Sequence, residues 1–195
     1  MYSKTLFAGW SDMDFYSHMR NTAFLDKSAD VRMMYFAEHG FPVAEFARLK
    51  LGPVVMKDEV EYRKEVGLLQ EITVTLAVAG LSPDGSRFVL RNEILRPDGT
   101  LCARVTSAGG WLDLAARKLV APPAPLLAAL QSLPRTLDFA ALPPGVRERG
   151  KEPVGGLRPG PPACDAPAPG TSEGVNQGSA VVASSPGTAR TRSVP

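Results

Sequence analysis

Apolar side chains recur at Phe24, Leu25, Ala29, Met33, Tyr35 and Phe36, a three-and-four spacing that predicts one broad buried face of an α-helix. Gly40 offers the left-handed position that ends such a helix, and Pro42 prevents its resumption. Ser17, Asn21 and Thr22 can each accept a hydrogen bond from the free amides of a first turn, so the helix begins just after a polar cluster. The period then changes. Tyr2 to Trp10 suits a first strand, Phe41 to Lys50 a further turn of helix, and Val54 to Val66 a long strand with an interruption at Lys57-Asp58. Glu71 to Ala79 alternates through Ile72, Val74, Leu76 and Val78, and Arg87 to Arg96 through Phe88, Leu90 and Ile94. Leu101 to Leu112 follows, with Gly109-Gly110 marking a bulge or a place where another backbone comes close. The turns at Ser82-Pro83-Asp84-Gly85 and Pro97-Asp98-Gly99 join the last three of these strands as antiparallel neighbours.

One strand, one long helix and a meander of about four strands is an α+β layout, in which the sheet buries one face against the helix. Ala115 to Lys118 and Pro122-Pro123 end the sheet, and Pro125 to Leu133 suits a short terminal helix with its proline in the first turn. From Pro134 onward Pro, Gly, Ala and Ser dominate and neither period survives. Ordering such a stretch costs about 1–2 kcal/mol per residue for the backbone alone, with little apolar area to offset it. The expectation is a domain over residues 1–133 and a disordered tail over residues 134–195.

Composition narrows the possibilities. Every Trp and Tyr lies at or before Trp111, so the first two-thirds of the chain must build the core. A net charge of +2 without a basic stripe or interleaved aromatics argues against a nucleic-acid partner. The opening MYSKTLFAGWSDMD has no apolar run suited to a signal peptide or membrane span, so the expected location is cytoplasmic. Cys102 and Cys164 are far apart and fit neither a disulfide nor a metal site.

Chemistry concentrates ahead of the helix, where Asp12, Asp14, His18 and Asn21 form the pattern Asp-x-Asp-x-x-x-His-x-x-Asn. This resembles the signature of the 4-hydroxybenzoyl-CoA thioesterase-like branch of the hotdog superfamily, Asp-x-Asp-x-x-Gly-His-Val-Asn-Asn-x-x-Tyr. Here Ser17 stands for the Gly, Met19 for the Val, Arg20 for the first Asn and Phe24 for the Tyr. The resemblance covers roughly residues 1–122. It implies a hotdog fold, a sheet wrapped around a long helix, assembled as a homodimer or homotetramer. It also implies hydrolysis of acyl-CoA or acyl-carrier-protein thioesters without metal or bound cofactor, with Asp14 aligned on the family's catalytic carboxylate.

A carboxylate beside a helix N-terminus can activate water or add to a thioester carbonyl, and the free amides of that terminus can hold the oxygen that becomes negative. The same aspartate could instead serve as a cap. His18 could orient carbonyl or carboxylate, and Asn21 could tie the loop or touch the carbonyl. Asp12, Ser17, Arg20 and Arg63 are the expected substrate-contacting positions, with Lys64, Arg87 and Arg104 as further cations for coenzyme A phosphates. The Gly to Ser change at 17 replaces a residue that permits unusual backbone angles, and Arg20 could recognise a carboxylated acyl group or face solvent. No Gly-x-Ser-x-Gly elbow is present, so a serine-hydrolase mechanism has no support. The alternatives are a hotdog hydratase or dehydratase and a non-catalytic acyl-binding or assembly protein.

Overall fold

A computed structural model describes residues 1–145. Its elements run β1 (Tyr2–Phe7), α1 (Asn21–Glu38), α2 (Val43–Leu49), β2 (Leu51–Tyr62), β3 (Glu71–Leu81), β4 (Arg87–Leu95), β5 (Leu101–Asp113), β6 (Lys118–Val120), α3 (Ala124–Ser132) and β7 (Arg135–Ala141). The main sheet has the order β1-β3-β4-β5-β2, antiparallel throughout, and its concave face receives α1. This is the α+β hotdog arrangement. The strand that precedes the meander, β2, therefore pairs with the last of its three strands, from Leu51 opposite Asp113 to Tyr62 opposite Ala103.

Alternation in β3 and β4 sends Ile72, Val74, Leu76 and Val78, then Phe88, Leu90 and Ile94, into the core, as their spacing predicts. Each such side chain contributes about 1.5–3 kcal/mol on leaving water. Trp111 at the end of β5 is fully buried, and its ring meets Phe36, Phe46 and Phe88 at centroid distances of 5.4, 5.9 and 5.3 Å. That aromatic cluster holds α1 and α2 against the sheet.

The glycine pair in β5 is explained by close approach. A Cβ at Gly109 would collide with the Val54 carbonyl oxygen on β2 and come within 2.9 Å of the Phe88 ring on β4. The bulge lies opposite, where the β2 register shifts between Val55 and Lys57. Helix α1 ends near its expected limit, with Gly40 at φ 87°.

Four features differ from expectation. The buried face of α1 comprises Ala23, Phe24, Ser28, Val31, Arg32, Tyr35 and Phe36, while Ala29 is exposed and Leu25 and Met33 are half-buried. Strand β2 begins at Leu51 and not at Val54, so Gly52-Pro53 lies inside it, at the sheet's edge, where a missing amide is tolerated. The sheet does not end at residue 115, because Lys118–Val120 returns as β6 beside Trp111–Asp113. Nor does order stop at Leu133: β7 runs parallel to β3 along the edge that β1 leaves free, and Arg91 holds it through a two-pronged bond to Asp138. The remainder of the expected tail, residues 146–195 with Cys164, lies outside the described residues.

Candidate active site

The polar signature folds into a finger ahead of α1. Trp10–Asp12 make one 3-10 turn, Met13 pairs with Met19, and the Asp14 amide donates to the His18 carbonyl at 2.8 Å. The tip turns at Ser17 with φ 62°, a left-handed conformation that the family's glycine would adopt at less cost. Phe15 and Tyr16 project from this tip, 94% and 76% exposed, with rings 5.5 Å apart. The base is tied to the loop after β2, where Met19 donates to the Val66 carbonyl at 2.7 Å and His18 pairs with Gly67.

Within the finger, Asp14 is exposed and its Oδ1 accepts the amides of Tyr16 at 2.8 Å and His18 at 3.1 Å. Its geometry is that of an Asx turn with one carboxylate oxygen committed to the loop. Asp12 is 6% exposed and is the anchor of the structure: its Oδ2 accepts the Gly9 amide at 2.7 Å and meets Lys27 Nζ of α1 at 2.8 Å. Burial pushes the Asp12 carboxyl up, but the bonds from Lys27 and Gly9 and the charges of Lys27 and Arg20 outweigh it and hold the group below its usual range. The guanidinium of Arg20 donates to the Ser11 carbonyl, to Thr22 Oγ1 at 2.8 Å and to Asp26 at 3.2 Å. Asp12 and Arg20, expected against substrate, thus spend their polar groups on joining the finger to α1.

A cavity of about 280 Å³ opens beside the start of α1. It is lined by Met19, Asn21 and Phe24 on one side and by Tyr62, Arg63, Lys64 and Glu65 on the other. Of the expected site residues, Asn21 and Arg63 line this cavity, whereas Asp12, Asp14, Ser17, His18 and Arg20 do not. Asn21 Oδ1 accepts the Thr22 amide at 2.9 Å, the Ala23 amide bonds the Arg20 carbonyl at 3.0 Å, and Tyr62 donates its hydroxyl to the Asn21 carbonyl at 3.1 Å. The Asn21 amide is left as the first-turn donor without a partner among the described residues. Arg63 bonds Glu61 at 2.6 Å at the rim and depresses that carboxyl. The further cations Arg87 and Arg104 lie elsewhere, Arg104 being bound to Glu93 and Glu61 on the outer face of the sheet.

Sequence reasoning missed Lys27, Tyr62 and Met19. Tyr62 is the one with a visible signal, as the aromatic that closes an alternating strand just before two cations. Cys102 is fully buried, the small hydrophobe its position suggests. Among the described residues no group of three or more His, Cys, Asp and Glu could hold a metal ion, and no helix is long and apolar enough to cross a membrane.

Solved structures resemble this fold. A Staphylococcus aureus protein in complex with CoA aligns with a TM-score of 0.61 at 20% identity, over 68% of this chain and 85% of that one. A 1,4-dihydroxy-2-naphthoyl-CoA thioesterase from Synechocystis aligns at 0.62 with 15% identity, over 68% and 96%. A probable thioesterase from Escherichia coli aligns at 0.57 with 20% identity, over 68% and 98%. These likenesses show the shared architecture. A search of the curated proteins gives no match. The family model of the thioesterase-like superfamily matches residues 8–130, which hold the finger, α1, α2 and the strands β2 to β6, and the chain belongs to that superfamily.

Proposed function

We propose that the protein hydrolyses acyl-CoA thioesters, with the thioester carbonyl held at the start of α1, between the finger that carries Asp14 and the adjoining cavity. The observation that carries this reading is the cavity itself: a helix N-terminus with a free amide at Asn21 forms one wall, and Tyr62, Arg63, Lys64 and Glu65 form the other. A helix start carries a partial positive charge, and a donor aimed from it stabilises an oxyanion as it forms. Arg63 and Lys64 supply charge for the phosphates of coenzyme A. Asp14 acts as the base that deprotonates water, or as the nucleophile, through the carboxylate oxygen that the loop amides leave uncommitted. His18 sits beside it in the finger to orient the carbonyl or the carboxylate. Ser17 shapes the tip, while Asp12 and Arg20 hold the finger in place.

The site works as part of a homodimer or homotetramer in this reading. Support comes from β2, whose outer edge carries no partner strand among the described residues and can pair with a second copy. An acyl-carrier-protein thioester would present the same carbonyl, and substrate comparison separates the two donors. Thiol release from a panel of short, long and aromatic acyl-CoAs tests the proposal: turnover of at least one supports it. Tight binding of all without turnover at any pH favours the acyl-binding alternative instead.

A further inference from the structure

Tyr62 is the last residue of β2, opposite Ala103, and its side chain reaches from the sheet to the first turn of α1. The backbone that carries it is held firmly, because the amides of Arg63 and Lys64 both donate to the Cys102 carbonyl, at 2.8 and 3.0 Å. The Tyr62 ring meets the buried Phe24 edge-on, with centroids 5.6 Å apart and planes at 74°. Phe24 lies three residues beyond Asn21, on the same face of the helix. The Tyr62 hydroxyl reaches back over that turn and donates to the Asn21 carbonyl at 3.1 Å. Tyr62, Phe24 and Asn21 all line the cavity at the start of α1.

The residue that Tyr62 grips is the one whose own amide is free. A helix start frays unless it is tied down, since its first amides have no partner within the helix. The Asn21 side chain does not tie it to anything else, because its Oδ1 accepts the Thr22 amide next door at 2.9 Å. Among the described residues, the Tyr62 hydroxyl is the hydrogen-bonding group that reaches Asn21 from the sheet. Fixing the carbonyl of a residue limits rotation of its backbone, and so fixes the direction of its amide. The same bond adds little to stability: Tyr62 is 52% exposed, and a half-wet hydroxyl exchanges such a bond for one to water at small cost.

We propose that Tyr62 is a positioning residue for thioester hydrolysis, aiming the Asn21 amide at the oxygen that becomes negative as the carbonyl is attacked. This rests on the thioesterase reading above, in which that amide is the oxyanion donor. A preorganised donor acts only when its direction is set before the charge develops, and a misplacement of about 1 Å costs up to about 10²-fold in rate. The ring of Tyr62 walls the cavity, and its hydroxyl sets the donor. Removing the hydroxyl alone therefore separates the two contributions.

Two ligands test this by calorimetry on the wild-type protein and on Tyr62→Phe: S-trifluoroacetonyl-CoA, whose ketone takes up water and bears an oxyanion, and S-propyl-CoA, a thioether with no carbonyl. The wild type is expected to bind the ketone about 10²-fold more tightly than the thioether. Tyr62→Phe is expected to cut that margin about tenfold, with the affinity for S-propyl-CoA and the melting temperature retained. In turnover of the best acyl-CoA substrate the same variant should lose about tenfold in kcat while KM holds. A margin kept in Tyr62→Phe overturns the proposal. Equal weakening of both ligands also overturns it, since Tyr62 is then no more than a wall of the cavity. Equal affinities for the two ligands in the wild type defeat the hydrolase reading, and the role of Tyr62 falls with it. The two failures are distinguishable, the first being read in the variant and the second in the wild type.

Discussion

Lys27 and Asp12 meet across the junction of finger and helix, Nζ to Oδ2 at 2.8 Å, with both side chains largely withdrawn from solvent. The contact couples a loop that carries ionisable groups to a rigid element fifteen residues on. It is one of the contacts that hold the loop in one shape, beside the Asp14 turn and the bonds of Arg20.

Replacing Lys27 with Met leaves the Asp12 carboxylate buried with one of its two bonds gone. The expected loss is about 3 kcal/mol of stability, measured by urea unfolding at neutral pH. The effect has a pH signature. Asp12 has a folded-state pKa below its unfolded value, so its contribution is fully present above the unfolded pKa and is lost as pH falls through the folded one. Stability of the wild type should therefore drop more steeply than that of Lys27→Met on the acid side of pH 4. Parallel acid limbs would show that the pair contributes nothing.

Ser17→Gly should stabilise the protein. The serine holds φ 62°, where a Cβ is crowded, and glycine relieves this for a net gain of about 0.5–1 kcal/mol after its larger unfolded-state entropy. A rise in Tm checks it, and a fall would mean that the serine hydroxyl makes a contact worth more than the strain.

Gly109→Ala should be among the most damaging single-methyl changes in the sheet. The new carbon meets the Val54 carbonyl on one side and the Phe88 ring on the other, and backbone there has no room to shift between two paired strands. Overpacking of this kind costs about 1–3 kcal/mol or more, readable as a lowered denaturation midpoint. Wild-type stability would show that β2 can slide at its bulge.

Much of this architecture is legible in the sequence because it is local. The alternation of β3 and β4 and the two Pro-Asp-Gly turns set three strands and their order, and the Gly40-Pro42 stop sets the end of α1. What escaped was long-range. The face of α1 is turned by Ser28 and Arg32, polar residues that a window of helix reads as solvent-facing. Ser28 returns its hydroxyl to the Phe24 carbonyl, and Arg32 finds Asn92 sixty residues away. β6 is only three residues long, and β7 follows a proline in a stretch of tail-like composition, ordered by Arg91 and by the edge β1 leaves open. In the site, the motif located the finger and the start of α1. The division of labour between Asp12, buried on Lys27, and Asp14, exposed at the tip, depends on which carboxylate α1 can reach.

The carboxylate of Asp14 is the centre of the functional account, and its geometry allows a clean test. Oδ1 alone bonds the Tyr16 and His18 amides, so Asp14→Asn keeps the acceptor that shapes the finger while removing the charge needed to activate water. With the best substrate from the acyl-CoA panel, the account predicts a loss of about 10²-fold or more in kcat with the melting temperature retained. An Asp14→Asn protein that turns over at the wild-type rate would contradict it.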